Sequence, residues 1–208
     1  MEKVNLTKLY LDESLSCAAC QINDLSAIDT SWMPKHIQNS SSKARQLQYY
    51  ASRMALKSAL EQKKIFKVIK SLKLNKDYST IEGHHFQISL AHTKNNWGLA
   101  AIHNSQSIGV DMELADRAVK SGALKYFKNP KDNLESFSVL ELWTKKEAAF
   151  KALSSSIRAT NNLLLAHIWI DKDGGFSHQE LNKTLGQVKT QTVTLNNQDF
   201  LISWAITF

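Results

Sequence analysis

The sequence predicts an α+β fold made of two halves that meet near residue 106. Two observations carry this. Two stretches show helical periodicity, and the apolar pieces around them are short and strand-like. Their order along the chain is strand, helix, strands, then strand, helix, strands, which divides the chain into residues 1–105 and 106–208.

Residues 4–12 alternate enough for a first strand. Ser40 to Ser42 offer helix N-caps. Behind them Leu47, Tyr50, Ala51 and Met54 fall at i, i+3, i+4 and i+7, the mark of an amphipathic helix. Its opposite side carries Arg45, Tyr49, Arg53 and Lys57, each four apart, which reads as a solvated basic face. Phe86 to His92, Trp97 to His103 and Ser107 to Glu113 read as strands, with turns at Asn95-Asn96 and Asn104-Ser105. The second helix is expected from Leu134 to Leu153, with Val139, Leu142, Trp143, Phe150 and Leu153 as its apolar stripe. Leu163 to Ile170, Val188 to Leu195 and Phe200 to Phe208 complete the set as β-like pieces.

Composition narrows the class. The 208 residues are 43% apolar, enough for a sizeable core. Seven Gly and two Pro exclude collagen-like and Pro-rich disordered chains. The longest strongly apolar run, Leu163 to Ile170, is far short of the ~18–20 residues of a membrane span. The first residues contain no apolar signal segment, so a soluble cytoplasmic protein is expected. Cys17 and Cys20 have C-x-x-C spacing, which suits a redox pair or half a zinc site. No second pair accompanies them, and two reduced, partly buried thiols are the expected reading. With 26 basic and 19 acidic residues the formal net charge is +7, which favours an acidic partner. Lys63, Lys64, Lys67, Lys70, Lys73 and Lys76 form its densest basic stretch.

Three local patterns could carry chemistry. In Ile108-Gly109-Val110-Asp111-Met112-Glu113, strand alternation sends Ile108, Val110 and Met112 to a core and leaves Asp111 and Glu113 together on the other face. Two like charges so placed form either a solvated strand face or a site for Mg²⁺, which prefers oxygen ligands. In Trp143 to Ala152, Glu147 and Lys151 are helical neighbours on the flank of the apolar stripe. They are either an ordinary surface pair or an acid and a base near a boundary. His92 ends an apolar strand face, as a partly buried histidine or as a phosphate contact.

In combination these patterns resemble the 4′-phosphopantetheinyl transferases of the Sfp type. That family has a Ser-His motif on a strand, a G-(I/V)-D-x-E strand and a W-(S/T)-x-K-E-(A/S)-x-x-K-A helix. The chain offers Leu90-Ala91-His92-Thr93, Gly109 to Glu113 and Trp143 to Ala152 in the same order. The resemblance implies a pseudo-twofold pair of similar α+β halves with the active site between them. It implies transfer of 4′-phosphopantetheine from coenzyme A to a serine of an acidic apo acyl or peptidyl carrier protein, with release of 3′,5′-ADP. Asp111, Glu113 and Glu147 would correspond to the Mg²⁺ ligands, with Glu147 also helping to activate the serine. Lys151 and His92 would contact coenzyme A phosphates, and Lys151 would aid departure of the ADP. Arg53, and secondarily Arg45, would lie near the 3′-phosphate. A monomer is implied by the chain length. The chain departs from the pattern at Ala91, where the family has Ser, before His92, where a Gly-Lys-Pro segment is missing, and after Ala152, where Leu153-Ser154-Ser155-Ser156 replaces glycines.

Two other classes fit parts of the pattern. Net positive charge suits a nucleic-acid-binding protein, but no recognised motif or basic-aromatic cluster supports it. A Mg²⁺-dependent phosphate hydrolase could use the same acids. Neither a Walker loop nor a dinucleotide-binding glycine motif is present.

Overall fold

The computed structural model describes residues 4–24, 26, 37, 39, 42–64, 74, 79–81, 83–120, 122–153, 164–181 and 183–208. Strands β1 (Val4–Leu9) and β2 (Ser16–Ile22) precede helix α1 (Lys43–Gln62). Strands β3 (Gln87–Thr93), β4 (Trp97–His103) and β5 (Ile108–Leu114) follow, then the short α2 (Leu124–Phe127) and the long α3 (Val139–Ala152). A 3₁₀ turn at Leu165–His167 leads to β6 (Ile168–Ile170), β7 (Gly175–His178), β8 (Thr184–Leu195) and β9 (Gln198–Thr207).

These strands form two antiparallel sheets, β1-β2-β4-β3 and β5-β9-β8-β7-β6. The fold is therefore α+β, with one long helix against each sheet. Alternation along the strands builds four layers. Cys20, Ile22, Ala100 and Ile102 face α1 through Tyr50, Ala51, Leu56 and Leu60. The other side of that sheet, with Cys17, Ala19, Leu99 and Ala101, packs on Val110, Met112, Phe200 and Ile202 of the second sheet. The far side of the second sheet, with Phe176, Val188 and Ala205, packs on Leu142, Ala148 and Ala149 of α3.

Each helix closes over a glycine. A Cβ on Gly98 of β4 would fall 2.1 Å from the Ser52 nitrogen of α1. One on Gly109 of β5 would fall 1.8 Å from the Ala148 oxygen of α3. Only a bare Cα permits these approaches.

Several expectations are refined. Ser42 caps α1 by accepting from the Arg45 nitrogen at 3.3 Å. The other two proposed caps, Ser40 and Ser41, lie outside the described residues, as do Lys67, Lys70, Lys73 and Lys76 of the basic stretch, Ser154 to Ser156, and Leu163. The second helix begins at Val139, not Leu134, because the Ser138 side chain caps it, accepting from Glu141. Val139 is exposed, while Ala148, Ala149 and Ala152 form the close contact with the sheet. Asn95 and Asn96 both have positive φ, as the turn between β3 and β4 requires.

Strands β2 and β7 were not expected, and β8 begins four residues before the predicted Val188. Cys17 and Cys20 lie on β2 with side chains to opposite faces, in different core clusters. Both are free and fully buried. Burial pushes both thiols up, that of Cys20 to about 12, so they act as small apolar groups. No helix among the described residues is long and apolar enough to cross a membrane.

Candidate active site

The edge strands β3 and β5 meet at a seam between the two sheets. The Ser89 hydroxyl of β3 accepts from the Val110 nitrogen at 2.9 Å, and the Thr93 hydroxyl donates to Glu113 Oε2 at 3.0 Å. Side-chain bonds thus join the two edges where no ladder runs. Ile108, Val110 and Met112 point into the inter-sheet core, as expected, so Gly109, Asp111 and Glu113 point towards α3.

Asp111 and Glu113 are only 7% and 9% exposed, which rules out a solvated strand face. Charges at that depth need partners. Lys151 Nζ of α3 lies 2.8 Å from Asp111 Oδ1 and donates to the Val110 carbonyl oxygen at 3.0 Å. Glu113 Oε1 pairs with the Arg117 guanidinium from the loop after β5. Asp111 Oδ2 is buried with no hydrogen-bond partner among the described residues. An orphaned carboxylate oxygen carries the full cost of desolvation, and such an atom is explained by an ion or water it would hold.

Glu147 lies one turn before Lys151 on α3. Burial raises its carboxyl above the usual range, Lys151 and Arg117 pull it down, and the Asp111 charge pushes it up. Asp111, Glu147 and Lys151 are thereby in one electrostatic neighbourhood, and Glu113 is linked to it through Arg117; no group of three His, Cys, Asp or Glu that could hold a metal ion occurs among the described residues.

On the α1 side of the seam, His92 Nε2 lies 2.9 Å from Arg45 Nη1. Arginine has no acceptor, so the imidazole accepts there and its proton sits on Nδ1. Partial desolvation first, then Arg45 and Lys151, hold His92 below its usual value. Arg45 and His92 are therefore brought together. Arg53, two turns further along α1, is 7% exposed, donates to the Ser52 hydroxyl at 3.2 Å and stacks on the Tyr49 ring. A uniformly wet basic face is thus replaced by an exposed Arg45 and a buried Arg53.

A cleft of about 490 Å³ opens beside Glu113, with Thr93, Lys94, Arg117, Lys120 and Trp143 among its walls. The charged loop following β5 supplies much of this lining. Arg117 was missed from the sequence. Its i,i+4 spacing from Glu113 signals a pair on a helix, but it follows a strand, where that spacing carries no such meaning.

Residues 106–205 match the model of the 4′-phosphopantetheinyl transferase superfamily. The match supports assignment to that superfamily. It spans β5 to β9 and so contains Asp111, Glu113, Glu147 and Lys151. Arg45, Arg53 and His92 lie outside the matched transferase segment. No curated protein matches the chain.

Proposed function

We propose that the protein transfers the 4′-phosphopantetheine group from coenzyme A to a serine of an acidic apo acyl or peptidyl carrier protein, in a Mg²⁺-dependent reaction of the Sfp type that releases 3′,5′-ADP. The observation that carries this reading is the pairing of Asp111 on β5 with Lys151 on α3, with Glu147 under the charge of both and Glu113 two residues along the same strand face, inside the segment that matches the superfamily.

The donor set fits Mg²⁺: all three groups offer carboxylate oxygen, and Asp111 Oδ2 lacks a partner among the described residues. Held by Asp111, Glu113 and Glu147, the ion would offset the charge of the coenzyme pyrophosphate. The remaining steps belong to side chains. Arg45, His92 and Arg53 orient the coenzyme through its phosphates. Glu147, whose carboxyl is already raised by burial, takes the proton from the carrier serine. The serine oxygen bonds to the phosphorus that bears pantetheine, and that phosphorus loses its bridging oxygen. The bridging electron pair leaves on the ADP phosphate, where Lys151 balances the charge. A net charge of +7 favours encounter with an acidic carrier. We place the reaction in the cytoplasm and assign a monomer.

Intact mass spectrometry of an apo carrier protein incubated with the chain, coenzyme A and Mg²⁺ tests this. The carrier should gain one phosphopantetheine. Free phosphopantetheine with an unmodified carrier would show a hydrolase instead, and neither product would overturn the reading.

A further inference from the structure

Arg117 lies three residues past the end of β5, and its Nη1 meets Glu113 Oε1. Its side chain is 38% exposed, against 12% for that of Glu113. The other oxygen of Glu113 is fixed by the Thr93 hydroxyl at 3.0 Å, and Glu113, Thr93 and Arg117 all line the cleft. The same positive charge also acts on Glu147. Arg117 therefore pairs with one carboxylate assigned above to a divalent cation and acts through its charge on a second.

We infer that Arg117 is an internal counter-ion that occupies Glu113 in the cation-free protein and competes with the divalent cation for that carboxylate. The inference rests on the proposed function in one respect, the assignment of Glu113 as a cation ligand.

Two comparisons within the molecule favour exchange over a permanent pair. The buried pair of Lys146 and Asp132 is 0% exposed on both sides, and Lys146 also donates to the carbonyl oxygens of Phe127 and Ile168. That is the construction of a fixed pair. Lys151, at Asp111, is likewise anchored by the Val110 carbonyl. Arg117 has Glu113 as its hydrogen-bond partner among the described residues. The Arg117 end of the pair is exposed and its guanidinium regains water on leaving, while a divalent ion supplies the partner that buried Glu113 needs, so the two can exchange. The side chain already lines a cleft of about 490 Å³ and has room to withdraw into it. Once released, its charge joins those of Lys94 and Lys120 on the cleft walls. Cation binding would then prepare a more positive cleft for an anionic ligand.

The test is Mn²⁺ binding to the full chain, read from the electron paramagnetic resonance signal of free Mn²⁺, with neither coenzyme nor carrier present. Arg117→Gln should bind Mn²⁺ about three- to tenfold more tightly than the parent, the size of losing one competing ion pair of about 1 kcal/mol. Arg117→Lys keeps the charge and should stay near the parent. The gain should vanish when Glu113→Gln is added. Equal or weaker binding by Arg117→Gln, or a gain that persists without Glu113, overturns the role of Arg117. If Glu113→Gln alone weakens binding while Arg117→Gln changes nothing, the cation site stands and only this inference falls. If neither the parent nor Arg117→Gln binds Mn²⁺, the cation assignment falls with it.

Discussion

Lys151 Nζ reaches both the Asp111 carboxylate at 2.8 Å and the Val110 carbonyl oxygen at 3.0 Å, so one side chain of α3 clamps the main chain and the acid of β5 together. Glycine at 109 makes this possible, because it lets α3 approach within reach. The lysine compensates a 7%-exposed carboxylate in the resting protein, and the proposed function gives it a second task, balancing the charge that develops on phosphate.

Lys151→Met separates these functions. Transfer to the carrier should fall by about 10²–10⁴-fold, the scale of losing a positioned proton-transfer or charge-stabilising group. The melting temperature should fall too, since Asp111 is left buried without its cation. Initial rates by intact mass and thermal unfolding of the same preparation check this. An unchanged rate would remove Lys151 from the reaction.

Glu147→Gln should trade activity for stability. Its folded carboxyl is raised above 4.5, so the folded chain holds the proton longer than the unfolded chain does. The stability linked to this proton is present below pH 4.5 and is lost as pH climbs through the raised value. Glutamine carries no such penalty. In chelator, the variant should match the parent at pH 4 and melt higher at pH 7, by about 2–4 °C for each kcal/mol of relieved desolvation. A melting difference that does not grow with pH would show that burial of Glu147 costs the parent nothing.

The parts of this site that were legible in the sequence are those governed by local periodicity. Alternation placed Ile108, Val110 and Met112 in the core and Asp111 with Glu113 opposite, and helical spacing placed Glu147 beside Lys151. What α3 does to that opposite face was not legible. Its burial depends on a helix some 30 residues later crossing Gly109, a tertiary event with no local signature. Strand β2 was missed for a related reason. Ser16–Ile22 is built from small residues, lacks the β-branched and aromatic run that marks a strand, and is apolar on both faces because a layer covers each side. The buried position of Lys146 was equally hidden, since lysine in a helix rich in charge reads as solvent-facing.

Gly109→Ala tests the approach of α3 directly. The added Cβ would sit 1.8 Å from the Ala148 carbonyl oxygen and 2.5 Å from the Ala152 nitrogen, both main-chain atoms. No rotamer relieves a main-chain clash, so α3 must lift from β5. Overpacking typically costs about 1–3 kcal/mol, and a main-chain clash belongs at or above the top of that range. Lifting α3 also parts Lys151 from Asp111. Chemical denaturation should show the loss, and transfer should fall even at temperatures where the variant remains folded. A stable, fully active alanine variant would mean that α3 does not set the geometry of the site.

The final prediction concerns the neighbour of Glu147 that faces the other way. Lys146 is wholly buried, pairs with Asp132 Oδ2 at 2.7 Å and donates to the carbonyl oxygens of Phe127 at 2.6 Å and Ile168 at 2.7 Å. Asp132 in turn accepts from the nitrogens of Asn129 at 2.6 Å and Ile170 at 3.1 Å. One ion pair therefore ties α2, the loop before α3, β6 and α3 itself. Removing one partner strands the other charge in the interior. Lys146→Met should cost about 3–5 kcal/mol, whereas methionine alone would pack well in the space. The decisive comparison is the double variant Lys146→Met with Asp132→Asn, which removes both charges and keeps an amide oxygen for the main-chain donors. It should recover most of the loss, measured as the midpoint of urea unfolding. A double variant as unstable as Lys146→Met alone would show that the lysine acts through its carbonyl contacts and not through Asp132.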